Sequence, residues 1–150
     1  MNHTNILKLG LEGEKVVVDM LRQLDLDVYH VYDDNKYDRE KDILVDGKYK
    51  VEVKTQVPFI MKGSLTFKPN QLRKCRGVDE LYFVSVPPRN NQDKWAGWIF
   101  RAEPKNFVTR NYKTKDGRDM ILIDREQSAL IPIRKMSDEE MKELQKYTVS

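Results

Sequence analysis

Two short runs of strand-forming residues, Ile43-Leu44-Val45 and Tyr49-Lys50-Val51-Glu52-Val53-Lys54, flank the dipeptide Asp46-Gly47, a strong hairpin signal. Strand side chains alternate between faces, so the number of loop residues decides which side chains meet. A two-residue turn pairs Val45 with Lys48 and Lys41 with Glu52, and mixes valine or isoleucine with charge on both faces. A three-residue loop, Val45-Asp46-Gly47 with Gly47 left-handed in a bulge, pairs Leu44 with Lys48 and Asp42 with Lys50. Ile43, Tyr49, Val51 and Val53 then line an apolar face, while Asp42, Lys48, Lys50, Glu52 and Lys54 share a polar one. A one-residue slip would flip a whole strand, so the hydrophobic pattern selects the odd loop. Leu44 is left among charges, where a helix over part of that face would shelter it.

The other elements are arranged around this hairpin. Thr4 or Asn5 caps a helix from about residue 5 to about 24, with Ile6, Leu9, Gly13, Val16 or Val17, Met20, Leu21 and Leu24 at helical spacing. Val28 to Tyr32 reads as a strand, and Pro58 to Asn70 as loop or edge strand. Pro69 to Cys75 reads as a short helix with proline near its start, and Leu81 to Val86 as a buried strand closed by Pro87-Pro88. Further on, Trp95 to Phe100 predicts a strand, Glu103 to Phe107 a helical turn, and Lys115-Asp116-Gly117-Arg118 a hairpin turn before Met120 to Ile123. Ser137-Asp138-Glu139-Glu140 is a capping box for a last helix ending near Tyr147. This order predicts an α/β sandwich, a central mixed β-sheet flanked by helices. A core over about 5–86 is followed by a β-rich elaboration and a final helix over about 87–150.

With 150 residues the chain suits one domain. No apolar run approaches a membrane span, and the polar start leads into an amphipathic segment rather than a signal-peptide core, so the expectation is a cytoplasmic protein. A lone cysteine, Cys75, forms no internal disulfide and reads as a small buried side chain. With only two histidines beside it, no structural zinc site is expected. The net charge of +3 says less than its distribution. Lys62, Lys68, Arg73, Lys74 and Arg76 stand in a stretch without an acidic residue, after the carboxylate-rich segment Asp33 to Asp42. As a group they are candidates for contact with a phosphate backbone.

Asp42, Glu52 and Lys54 on one sheet face have the chemistry that phosphodiester hydrolysis requires. A hard cation on carboxylate oxygens supplies an attacking hydroxide and stabilises charge on the phosphoryl group. Asp42 and Glu52 are the candidate ligands, with the Val53 carbonyl and waters completing an octahedral shell. Lys54 would contact the water and the scissile phosphate, and Gln56, further along the same face, would hold a water or phosphate.

Asp42 followed by Glu52-x-Lys54, preceded by Gly10-x-x-Gly13-Glu14 on the first helix, resembles the PD-(D/E)XK nuclease superfamily over roughly residues 5 to 86. That superfamily has the restriction-endonuclease-like fold and includes Holliday junction resolvases, restriction enzymes and homing endonucleases. The resemblance implies that the Asp and Glu bind Mg²⁺, with Mn²⁺ able to substitute, and that the Lys serves the nucleophilic water. It implies that Glu14, with Glu12 as fallback, holds the metal through water. The chain departs from the pattern in carrying Lys41 where a proline usually precedes the aspartate, and Asp38 is a second candidate for the Asp42 role. The expected activity is Mg²⁺-dependent endonucleolytic cleavage of double-stranded or branched DNA, by a homodimer because cutting both strands takes two sites. The alternatives are a nuclease acting on RNA and a catalytically silent nucleic-acid-binding or scaffolding module of the same fold. His30 reads as a packing residue, Tyr29 and Tyr32 as core or rim, and Trp95 and Trp98 as core or interface anchors.

Overall fold

The computed structural model describes residues 3–30, 43–57, 64–87, 96–124 and 130–148. Helix α1 (His3–Gln23) leads into strands β1 (Val28–His30), β2 (Ile43–Val45), β3 (Tyr49–Gln56) and β4 (Ser64–Phe67), then helix α2 (Pro69–Cys75). Strands β5 (Glu80–Ser85) and β6 (Trp98–Ala102), a 3-10 turn (Pro104–Asn106), strands β7 (Thr109–Lys113), β8 (Asp119–Asp124) and β9 (Leu130–Lys135), and helix α3 (Asp138–Gln145) follow. The protein is α/β, with a six-stranded mixed sheet ordered β1-β2-β3-β5-β6-β9 and a three-stranded antiparallel sheet ordered β4-β8-β7. In the large sheet β3 and β5 run parallel, and α2 lies between them in the chain. No described helix is both long and apolar enough to cross a membrane.

Two apolar clusters occupy the two faces of the large sheet. On one face α1 and α3 cover the strands: Leu9, Val17, Met20 and Leu21 pack with Ile43, Val51, Tyr82, Val84 and Leu144. On the other face α2 and the small sheet do so: Leu65, Phe67, Leu72 and Cys75 pack with Leu81, Phe83, Phe100 and Ile123. β5 contributes alternate residues to both clusters, which is why Leu81 to Val86 reads as an unbroken apolar run. Burying each of these large side chains contributes about 1.5–3 kcal/mol, so both faces are needed for a stable domain.

Helix α1 buries the stripe Leu9, Gly13, Val17, Met20 and Leu21, as the spacing predicts. Ile6 and Leu24, expected on that stripe, lie at its ends and are 52% and 63% exposed. The helix closes where Asp25 takes a left-handed φ of 60° and its N–H bonds the Arg22 carbonyl at 3.0 Å. Strands β7 and β9 were not legible in the sequence. β9 carries Pro132 and a bulge that leaves Ile133 between the pairs Ile99–Arg134 and Phe100–Pro132, both devices that discourage edge-to-edge pairing. Trp98 packs against the second cluster, whereas Tyr32 and Trp95 lie outside the described residues.

Helix α3 starts as the capping box predicts: the Ser137 Oγ accepts the Glu140 N–H at 3.1 Å, and the Glu140 carboxylate accepts the Ser137 N–H at 2.9 Å. The same carboxylate takes a fork of two 2.9 Å bonds from the Arg134 guanidinium on β9. Arg134 holds the Glu140 carboxyl below its ordinary value of 4.5. A depressed carboxylate stabilises the fold fully above its unfolded value and loses that contribution as pH falls through the folded one. Glu140→Ala is therefore expected to cost about 1–2 kcal/mol at neutral pH, after allowing for partial solvent screening. The deficit should shrink in thermal melts taken below about pH 4; a deficit independent of pH would contradict this account.

Candidate active site on strand β3

The β2–β3 hairpin has an odd register, with Val45 opposite Tyr49, Leu44 opposite Lys50 and Ile43 opposite Val51. The loop is Asp46-Gly47-Lys48 rather than Val45-Asp46-Gly47, one residue later than the sequence suggested. Asp46 and Gly47 both adopt left-handed φ values, 54° and 72°, and the Lys48 N–H closes the turn on the Val45 carbonyl at 3.2 Å. The Asp46 N–H also donates to the Asp27 carbonyl at 2.8 Å, which anchors the loop beside the end of α1. Parity is unchanged by the shift, so the assignment of Lys50, Glu52 and Lys54 to one face stands, with Lys48 moved into the loop. Val51, Val53 and Thr55 turn toward α1, and Lys50, Glu52, Lys54 and Gln56 toward α2 and the small sheet.

Helix α2 lies beside this polar face. Leu72 and Cys75 anchor it in the second cluster, and Gln71 and Lys74 face β3. The Lys54 Nζ donates to the Gln71 Oε1 at 3.3 Å and lies 4.6 Å from the centroid of the Phe67 ring, a cation–π distance. The Lys68 N–H donates to the same Gln71 oxygen at 3.1 Å, so the start of α2 fixes the group that orients Lys54. Lys74 Nζ approaches Glu52 Oε2 at 4.0 Å. Burial lowers the Lys54 ammonium to about 8; the Lys68 charge acts in the same direction, while Cys75 and Glu52 oppose it. Burial and the Glu52 carboxylate push the Cys75 thiol up to about 11, so it is a protonated packing group and not a nucleophile.

Gln56 is placed differently from its expected role. Its amide nitrogen donates to the Thr66 carbonyl at 3.1 Å and its amide oxygen accepts the Thr66 N–H at 2.9 Å. Both ends of the side chain are thus engaged by the β4 backbone, and Gln56 fastens the small sheet to β3 in the manner of a missing strand. Glu14 also differs. Its carboxylate lies 3.0 Å from the His30 Nε2, and His30 is buried on the face that α1 covers, beside Ile43. Its described contact is therefore on the side of the sheet opposite to Glu52 and Lys54, and His30 does more than pack.

Asp42, its alternative Asp38, and Lys62 lie outside the described residues. Lys68, Arg73, Lys74 and Arg76 are all exposed along α2. Among the described residues no cluster of three or more histidine, cysteine or acidic ligands forms. The carboxylate that β3 contributes is Glu52, whose side chain is 22% exposed. Such a donor suits Mg²⁺, which usually binds through one or two carboxylates, waters and substrate phosphates rather than in an all-protein cage. Gln71 was missed in the sequence; its signal is a glutamine at the third position of a helix that starts with proline. Comparison of the chain with protein-family profiles, curated proteins and solved structures finds no match.

Proposed function

We propose that the chain is a metal-dependent endonuclease of the restriction-endonuclease-like fold, acting on DNA as a homodimer. The observation that carries this reading is the shared face of Glu52 and Lys54 on β3, beside the cationic helix α2. The odd register supports it further, because only an odd hairpin lets the residue two before Leu44, which is Asp42, share the face of Glu52. Asp42 and Glu52 would hold Mg²⁺ or Mn²⁺ together with the Val53 carbonyl, as the resemblance implies. The bound cation would lower the pKa of its water and neutralise charge on the scissile phosphate.

The chain's own groups do the rest. Lys54, steadied by Gln71 and Phe67, presents a donor to the phosphate and the attacking water. Lys74 balances Glu52 before substrate arrives and can turn to a phosphate when it does. Lys68, Arg73 and Arg76 hold the backbone on either side. Glu14 meets His30 on the α1 side of the sheet, so the metal set of this reading is Asp42, Glu52 and the Val53 carbonyl.

The test is cleavage of plasmid, linear duplex, four-way junction, flap, single-stranded DNA and RNA with Mg²⁺ or Mn²⁺, beside an Asp42→Ala control. Metal-dependent cutting of a DNA substrate that is lost in the control is the expected result. Binding without cutting under either metal would replace the nuclease with the scaffolding module, and cutting of RNA alone would change the substrate.

A further inference from the structure

We propose that the β7–β8 hairpin is a second nucleic-acid-contacting element, which grips the phosphate backbone of duplex DNA on the far side of α2 from Glu52 and Lys54. This rests on the nuclease reading for its substrate, and assigns a task to part of the chain that the resemblance leaves without one. The segment 109–119 carries Arg110, Lys113, Lys115 and Arg118 against only Asp116 and Asp119. All except Arg110 belong to the turn or the residues that bracket it.

Position makes the charge relevant. β4 is fastened to β3 by Gln56 and runs straight into α2, while β8 pairs with β4 and β7 with β8. β7 thus lies two strand spacings, roughly 10 Å, beyond β4. A cleft lined by Pro69 of α2 and by Asn111, Tyr112, Lys113, Asp119 and Ile121 of the hairpin joins the two elements. On α2, Gln71 and Lys74 face the β3 site, and helical spacing turns Pro69 and Arg73 toward the opposite flank. Cations therefore continue from Lys54 and Lys74, over Lys68 and Arg73, to Lys113. A span of this width matches several nucleotides of a backbone and exceeds what a single phosphodiester needs.

The turn is built to hold its shape. Gly117 has a φ of 86°, the Thr114 N–H donates to the Arg118 carbonyl and the Gly117 N–H to the Thr114 carbonyl at 2.9 Å each, and the Thr114 hydroxyl bonds Asp116. Arg118 contacts Asp116 at 3.0 Å and Lys113 contacts Asp119 at 3.8 Å, with every one of these side chains more than 60% exposed. Exposed pairs of this kind are worth little, so a phosphate can take over either cation at small cost. A pre-shaped cationic tip loses less entropy on binding than a mobile one.

The test is anisotropy with a labelled linear duplex of about 30 base pairs, in EDTA, across a salt series. Lys113→Gln, Lys115→Gln and Arg118→Gln combined should weaken binding about tenfold or more and make the salt slope shallower by about 2–3. Single-turnover cleavage at saturating DNA should be unchanged. Asp119→Asn should tighten binding, a gain that misfolding cannot produce. If wild type binds and cuts while the triple variant keeps its affinity and slope, the hairpin proposal falls and the nuclease reading stands. If wild type neither binds nor cuts any substrate, both fall.

Discussion

Gly13→Ala is expected to destabilise the protein by about 3 kcal/mol or more, while Gly10→Ala, one helical turn earlier, should stabilise it by about 0.5–1 kcal/mol. The two glycines belong to one motif and one helix, and only their surroundings differ. A Cβ on Gly13 would overlap the Thr55 Oγ1 and come within 2.8 Å of its Cβ and 2.9 Å of its Cγ2. A Cβ on Gly10 would meet nothing within 4 Å. Gly13 is therefore where α1 and β3 approach most demandingly, and neither backbone can yield without moving Val17 or Val51 in the first cluster. The Thr55 Oγ1 is buried and lacks a hydrogen-bond partner among the described residues, so it contributes little besides occupying this niche.

A double-mutant cycle checks the cause. Thr55→Ala removes the overlapping oxygen and the methyl but leaves a Cβ at 2.8 Å, so it should recover part of the loss; Thr55→Gly should recover more of the steric term. Additive effects in urea melts, or a Gly13→Ala variant as stable as wild type, would refute the close-approach account. The consequence reaches function because Thr55 lies between Lys54 and Gln56. A shift of β3 away from α1 would carry the polar face with it.

The hairpin shows how far sequence reasoning reaches. Period-two alternation from Ile43 to Val53 was enough to assign the two faces, because parity and not the exact loop determines them. The loop itself slipped by one residue, since Asp46 accepts a left-handed φ alongside Gly47 and draws Lys48 into the turn. α2 was legible to the residue because proline fixes its start and Leu72 and Cys75 mark its buried side. β7 was not, because Thr-Arg-Asn-Tyr-Lys over residues 109–113 has little apolar content and takes its structure from β8 beside it.

The site was legible in its residue types and less so in its contacts. Glu52 and Lys54 face together as their spacing requires. The roles of Gln71 and Gln56 depend on where α2 and β4 return in space, which no local pattern encodes. Gln56 continues the polar face as expected, yet the nearness of Thr66 turns a candidate ligand into a clamp. Glu14 has the right spacing on α1, but His30 projects to the same side of the sheet and takes its carboxylate.

Glu52→Gln and Lys54→Met should each lower DNA cleavage about 10³-fold, and they should do so for separable reasons. On the proposed reading Glu52 is a metal ligand, so removing its charge should lower calorimetric Mg²⁺ or Mn²⁺ affinity together with activity. Removing the Lys54 charge takes away a cation that opposes a dication nearby, so metal affinity should hold or rise while cleavage is lost. Stability supplies a third readout. Burial has already lowered the Lys54 ammonium to about 8, so it is held at a cost, and an apolar side chain of similar length over Phe67 should leave the melting temperature equal or higher. Glu52 is only partly buried and its contact with Lys74 is long, so Glu52→Gln should also fold normally. A folded, inactive Lys54→Met protein that still binds metal is the result that separates a catalytic lysine from a structural one. Wild-type cleavage by either variant, or loss of metal binding in Lys54→Met alone, would remove the pair from the reaction.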